Sequence, residues 1–205
     1  MIAIVDYGVG NLFSLKSSLA FIGADVVVSG DAEVIRNADK ILLPGVGAFE
    51  DAAAKLRSTG LDKVIIEECA KGKPLLGICL GMQMLFDESH EYGVHKGLGL
   101  IPGKIMPLSD KLSGDYKIPH IGWNALKFAE GKEKSSLYKY VNEGDCVYFV
   151  HSYYGAECEE SVSATAEYGF DVTASVERGN VYGTQFHPEK SGEVGLSILR
   201  AFCEI

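Results

Sequence analysis

Four short apolar runs, Ile2 to Val5, Val26 to Val28, Ile41 to Leu43 and Leu75 to Ile78, constrain the fold of this chain most tightly. None alternates with polar residues, so each reads as a strand buried on both faces, the pattern of a parallel sheet covered by helices. The stretches between them supply the helices. Asn11 to Ile22 sets Leu12, Leu15, Leu19 and Ile22 on one helical face, and Phe49 to Ser58 and Leu61 to Ala70 read as two more. The sum is an α/β, mostly parallel, doubly wound sheet with flanking helices. From Ser89 to Asp145 the chain is more polar and richer in turn residues, which predicts added short antiparallel strands. Strands return at Cys146 to Val150, Val172 to Val176 and Val181 to Phe186, and a closing helix is expected from about Glu193 to Phe202. With 205 residues, one domain spanning 1–205 suffices.

Composition narrows the function classes. Twenty-eight acidic residues against 19 basic ones leave a net charge of -9, which repels phosphate backbones and makes nucleic acid an unexpected partner. No apolar stretch approaches membrane-spanning length, and Met1-Ile2-Ala3-Ile4-Val5-Asp6 lacks the basic flank of a signal peptide, so no membrane association and a cytoplasmic location are expected. Five cysteines without a C-x-x-C pair predict reduced thiols rather than a disulfide framework or a zinc ribbon. No H-x-x-x-H or H-E-x-x-H occurs, and neither a metal nor a cofactor is expected.

The fourth strand runs into Gly77-Ile78-Cys79-Leu80-Gly81. Flanking glycines permit a sharp, strained strand-to-helix turn that lifts the cysteine clear of the sheet, as in a nucleophile elbow. Leu80, Met82, Met84, Leu85 and Phe86 continue as a helix-compatible run, so the sulfur would face free N–H groups that favour thiolate over thiol. The pentapeptide alone is equally what a buried structural cysteine in a tight turn would show. Two further turns, Gly8-Val9-Gly10-Asn11 and Pro44-Gly45-Val46-Gly47, lack the third glycine of a dinucleotide fingerprint, with Phe13 and Glu50 in its place. Gly45 to Gly47 would serve either as an oxyanion-donor loop opposite Cys79 or as a plain turn. Among five histidines His187 is the best base, following an apolar strand, fixed by Pro188 and two residues before Glu189. His151-Ser152-Tyr153 also ends an apolar strand and would line the same cleft or pack as core. His90, His95 and His120 read as solvated.

Gly77 to Gln83, taken with Gln185-Phe186-His187-Pro188-Glu189, closely resembles the class I, or triad, glutamine amidotransferases. Five further stretches, Val5 to Leu12, Leu43 to Phe49, Ile118 to Asn124, Phe149 to Tyr153 and His187 to Ser191, resemble one branch of that family, the glutaminase subunits of imidazole glycerol phosphate synthase. Ser109 to Asp115 and Glu130 to Asn142 carry no such likeness. The resemblance implies hydrolysis of L-glutamine to glutamate and ammonia, with Cys79, His187 and Glu189 as catalytic triad. It implies oxyanion donors at Leu80 and at Val46 or Gly47, and glutamine contacts from Gly45, Gln83, His151, Ser152 and Tyr153. The partner it implies is a cyclase subunit, a (β/α)8 barrel, forming a heterodimer that receives the ammonia for histidine biosynthesis, with Asn11, Trp123 and Lys190 towards that partner. The residues leave two alternatives open: the glutaminase subunit of another amidotransferase, and a non-catalytic binding subunit.

Overall fold

The computed structural model describes residues 1–205. In chain order the elements are β1 (Ile2–Val5), α1 (Leu12–Phe21), β2 (Val26–Ser29), α2 (Ala32–Asn37), β3 (Lys40–Gly45), α3 (Phe49–Ser58), α4 (Leu61–Ala70), β4 (Leu75–Cys79) and α5 (Leu80–Met84). There follow β5 (Phe86–Ser89), β6 (His95–Lys96), β7 (Ile101–Pro107), β8 (His120–Phe128), β9 (Cys146–His151), β10 (Tyr153–Ala156), β11 (Val162–Glu167), β12 (Asp171–Arg178), β13 (Val181–Thr184) and α6 (Gly192–Glu204).

Nine strands form one sheet in the order β2-β1-β3-β4-β13-β12-β11-β8-β9. From β2 to β13 neighbours run parallel, and from β13 to β9 they run antiparallel. A smaller sheet, β10-β7-β5-β6, carries the excursion expected after Ser89. Its β5 and β7 pair in parallel, and β8 is nine residues long rather than short.

Three of the four apolar runs are buried on both faces as their composition requires, whereas Val26–Ser29, the edge strand β2, is only half-buried along its length. Ala3, Val5, Ile41 and Leu43 point into one core with Ile35 of α2, Leu56 of α3 and Ile65 of α4. Ile2, Ile4, Leu42, Leu76 and Ile78 point into the other with Leu15 and Leu19 of α1 and Ile198, Leu199 and Phe202 of α6. Helices thus cover both faces, because every second residue of each strand needs an apolar partner on its own side.

Several elements depart from the sequence reading, which marks neither β10 nor β11. Helix α2, absent from it, is six residues long and capped by Asp31, whose carboxylate accepts the Glu33 N–H at 2.7 Å. Helix α5 stops at Met84, well before the apolar run ends, because the Leu85 carbonyl accepts the N–H groups of Leu100 and Ile101 at 2.8 and 2.9 Å and Phe86 pairs with Ile101. Sheet pairing outweighs helix propensity there. Strand β13 ends at Thr184, leaving Gln185 and Phe186 in the turn beyond it.

Candidate active site

The carboxyl ends of β3, β4 and β13 lie side by side at the centre of the large sheet, with Gly45 opposite Cys79 and Thr184 opposite Ile78. Open α/β sheets build their sites at this edge. Cys79 sits at φ 55, ψ -112, a positive-φ conformation that L residues rarely adopt and that turns the chain from β4 into α5. The two glycines of the elbow are there for approach: a Cβ on Gly77 would stand 2.7 Å from the Gly81 carbonyl oxygen, and one on Gly81 would overlap the Leu43 carbonyl oxygen of β3.

His187 follows β13 by three residues and is buried. Its backbone N–H donates to the Tyr148 carbonyl at 3.0 Å, and its carbonyl accepts the Ser191 hydroxyl at 2.7 Å, so the turn is tied to β9. Its Nδ1 lies 2.8 Å from Glu189 Oε1. Burial alone would push the imidazole pKa down, but hydrogen bonds to the Cys79 sulfur and to Glu189 outweigh it and raise the value to about 9. Cys79, His187 and Glu189 therefore lie together as one buried group, with the Glu189 carboxylate holding Nδ1 and the raised pKa leaving the imidazole protonated at neutral pH.

A cleft of about 360 Å³ opens over the sulfur. Of the residues singled out from the sequence, Val46, Gly47, Cys79, Leu80, Gln83, His151, Ser152, Tyr153, His187 and Lys190 line it. Gly45 stands beside Cys79 in the strand ladder and Glu189 lies behind His187. Leu80 opens α5, so helix geometry leaves its N–H free. The N–H groups of Val46 and Gly47 have no hydrogen-bond partner within the chain, and Gly47 holds φ 95. This loop is pinned at both ends: the buried Tyr7 hydroxyl donates to the Pro44 carbonyl at 2.8 Å, and the Phe49 N–H donates to Glu91 Oε2 at 2.7 Å.

Gln83 has both protons of its amide directed inward, to Gln185 Oε1 at 3.0 Å and the Tyr153 carbonyl at 3.4 Å, which leaves its oxygen as the group free for a ligand. Behind Tyr153 lies a second buried pair. His151 Nδ1 stands 2.7 Å from the Tyr153 carbonyl, His151 Nε2 stands 3.0 Å from His120 Nδ1, and His120 Nε2 stands 2.7 Å from Asn124 Oδ1. Acceptors at both ends leave two neutral rings one proton short of three hydrogen bonds. Burial nevertheless drives both pKa values down, His151 to about 3. His120 is thus 1% exposed, not solvated as its polar surroundings in sequence suggest: β8 turns that side inward onto Phe149 and Tyr168, which stack on its ring.

The three residues expected towards a partner do not line the cleft as a group. Asn11 caps α1 by accepting the Ser14 N–H at 3.4 Å, and α1 touches the Pro188–Lys190 turn. Trp123 is 56% exposed on β8 rather than core, edge-on to Tyr148 at 6.0 Å, and Lys190 Nζ lies over the same Tyr148 ring, also at 6.0 Å. The sequence reading passed over Glu91, Pro119 and Val150, which complete the cleft wall. Pro119 and Val150 lie within stretches already noted, Ile118 to Asn124 and Phe149 to Tyr153, whereas Glu91 has no sequence signal, since it arrives from beyond β5 of the smaller sheet.

The arrangement can carry nucleophilic attack on an acyl carbon: a sulfur on a strained elbow, a proton-bearing imidazole with its own carboxylate, and unpaired N–H groups where oxyanion charge would develop. Residues 3–204 match the family model of the class-I glutamine amidotransferases, and the chain belongs to that family. Solved structures agree at the level of fold: a glutamine amidotransferase crystal structure superposes with TM-score 0.75 at 18% identity over 100% of this chain and 99% of that one. The structure of PurLQS from Thermotoga maritima does so with TM-score 0.75 at 19% identity, over 99% and 97%.

Within the family, the chain is 51% identical to the imidazole glycerol phosphate synthase subunit HisH of Geobacillus kaustophilus, over 100% of this chain and 97% of the relative. It is 46% identical to the subunit of the same name from Listeria monocytogenes serotype 4a, over 100% and 96%.

Proposed function

We propose that this chain is the glutaminase subunit of an imidazole glycerol phosphate synthase, hydrolysing L-glutamine and handing the ammonia to a cyclase subunit for histidine biosynthesis. The observation that carries the reading is the Cys79–His187–Glu189 chain at the mouth of the cleft, on a fold of the amidotransferase family. Near 50% identity over the full length to subunits named HisH supports the branch.

In this reading the Cys79 sulfur attacks the side-chain amide carbon of glutamine, and the C–S bond forms as the carbonyl π pair moves onto oxygen. Leu80 and the Val46–Gly47 peptide meet the oxyanion, each donor being worth about 3 kcal/mol of transition-state stabilisation. His187 gives its proton to the departing nitrogen, ammonia leaves, and a γ-glutamyl thioester remains. The neutral imidazole then takes a proton from water, whose oxygen attacks the thioester, and glutamate departs as the sulfur regains its charge. Glu189 holds the ring through Nδ1 throughout. Gln83, His151, Ser152 and Tyr153 surround the glutamine, with Gly45 beside Cys79 in the strand ladder, and the Glu91 carboxylate, in the same wall, suits its α-ammonium.

Residues 1–205 act as one amidotransferase domain. The partner is a (β/α)8 barrel bound as a heterodimer through the face bearing Asn11, Trp123 and Lys190. The setting is the cytoplasm, to which the absence of any helix long and apolar enough to cross a membrane is congenial. No metal, cofactor, nucleic acid or membrane takes part in the reaction as written. Glutamate release by the purified chain, alone and with the cyclase and its nucleotide-derived ligand, tests the reading, with Cys79→Ala as blank. Strong stimulation by the cyclase is expected; no release in either condition would leave only a binding subunit.

A further inference from the structure

The roles assigned above leave one polar side chain beside the sulfur without a task. Gln185 is fully buried and stands in the turn just past β13, its backbone N–H fixed on the Ala174 carbonyl at 2.8 Å. Its Nε2 lies 3.8 Å from Cys79 Sγ, within reach of an N–H···S hydrogen bond. The orientation of this amide is dictated by its neighbours. The Tyr153 carbonyl can only accept, so the end of Gln83 that faces it is the NH2. That same NH2 meets Gln185 at 3.0 Å, so Gln185 must present its oxygen there and its own NH2 to the sulfur.

Resting on the reading of Cys79 as nucleophile, we propose that Gln185 is a further catalytic residue whose carboxamide N–H binds and aims the Cys79 thiolate, and that Gln83 is the positioning residue keeping that carboxamide the right way round. A thiolate is a charged acceptor and gains more from such a donor than a thiol does. The chemistry gives the bond a separate purpose from that of His187. The imidazole must surrender its proton to ammonia and so is neutral when the thioester breaks. Gln185 has no proton to lose, and it still faces the sulfur as negative charge returns there. One donor cycles and the other stays.

Other groups also act on this sulfur: His187 with Glu189 behind it, Tyr7 from beyond β1, and Glu91, His151 and Lys190 around the cleft. A test therefore changes the amides alone. Alkylation by iodoacetamide, resolved cysteine by cysteine by peptide mass spectrometry between about pH 6 and pH 10, reads the thiolate directly, and the exposed Cys146 serves as internal reference. Gln185→Leu is expected to slow alkylation of Cys79 about tenfold at pH 7, with the gap closing at the alkaline end and Cys146 unchanged. Gln83→Met, which frees the Gln185 amide to turn, gives a smaller slowing of the same kind. Cys79 reacting at the wild-type rate across the pH range in folded Gln185→Leu and in Gln83→Met would overturn the proposal; if Gln185→Leu does not fold, Gln83→Met decides. The glutaminase reading fails separately, through a wild-type chain that alkylates normally yet releases no glutamate with its cyclase.

Discussion

His187 is pulled in two directions, and the outcome sets the pH behaviour of the site. Burial disfavours the imidazolium, but Cys79 and Glu189 together hold its pKa near 9 against an ordinary 6.5. The proton on His187 is what ammonia needs, so kcat/KM for glutamine is expected to hold through neutral pH and fall as pH passes about 9; a limb near 6.5 would contradict the pairing. For stability the sign is the same. A raised folded value means the contribution is complete below 6.5 and drains away as pH rises towards 9, so the wild-type Tm should drop over that window and Glu189→Gln should flatten the drop. Cys79→Ala is expected to abolish glutamine-dependent synthesis while sparing synthesis from added ammonia, measured as product formed with the cyclase. At this scale Cys79, His187 and Glu189 were readable because the motifs bracketing them fall at strand ends that the apolar runs already mark. Glu91 and the burial of His120 were not, since both depend on which strand of another layer comes to lie against them.

Among the elements, the tightest is the turn from β4 into α5. Gly81 leaves no room for a methyl group against the Leu43 carbonyl, so Gly81→Ala must push α5 off β3 or distort the elbow. The expected cost is about 1–3 kcal/mol, a fall of roughly 5 °C in Tm by calorimetry, with a larger loss of glutaminase activity because Cys79 moves with the turn. The parallel strands and α1, α3 and α4 were legible because their apolar residues alone decide where they sit. Helix α2 escaped notice because six residues give too little periodicity, and only its Asp31 cap signals a start. The early end of α5 was hidden for the opposite reason: the run from Leu80 to Phe86 is apolar throughout, and long-range pairing with Leu100 and Ile101 chooses where helix gives way to strand.

For the molecule as a whole, the exposed face around Trp123 connects to the site through β9. Tyr148 touches Trp123 and Lys190 with its ring, while its carbonyl holds the His187 N–H. On the proposed assembly, Trp123→Ala is expected to weaken cyclase binding by about 2 kcal/mol, roughly thirtyfold in Kd by titration, without lowering the Tm of the isolated chain, since the indole lies mostly outside the core. The neighbourhood of β4 and β13 carries one more consequence, in time rather than space. Cys79 ends β4 and His187 follows three residues past the neighbouring strand β13, yet about a hundred residues of chain separate them. A ribosome adding roughly 5–20 residues per second takes on the order of 5–20 s to cover that interval, and β13 can dock on β4 only afterwards. A nascent chain therefore carries an unarmed elbow until His187 and Glu189 have been added, and wastes no glutamine before then.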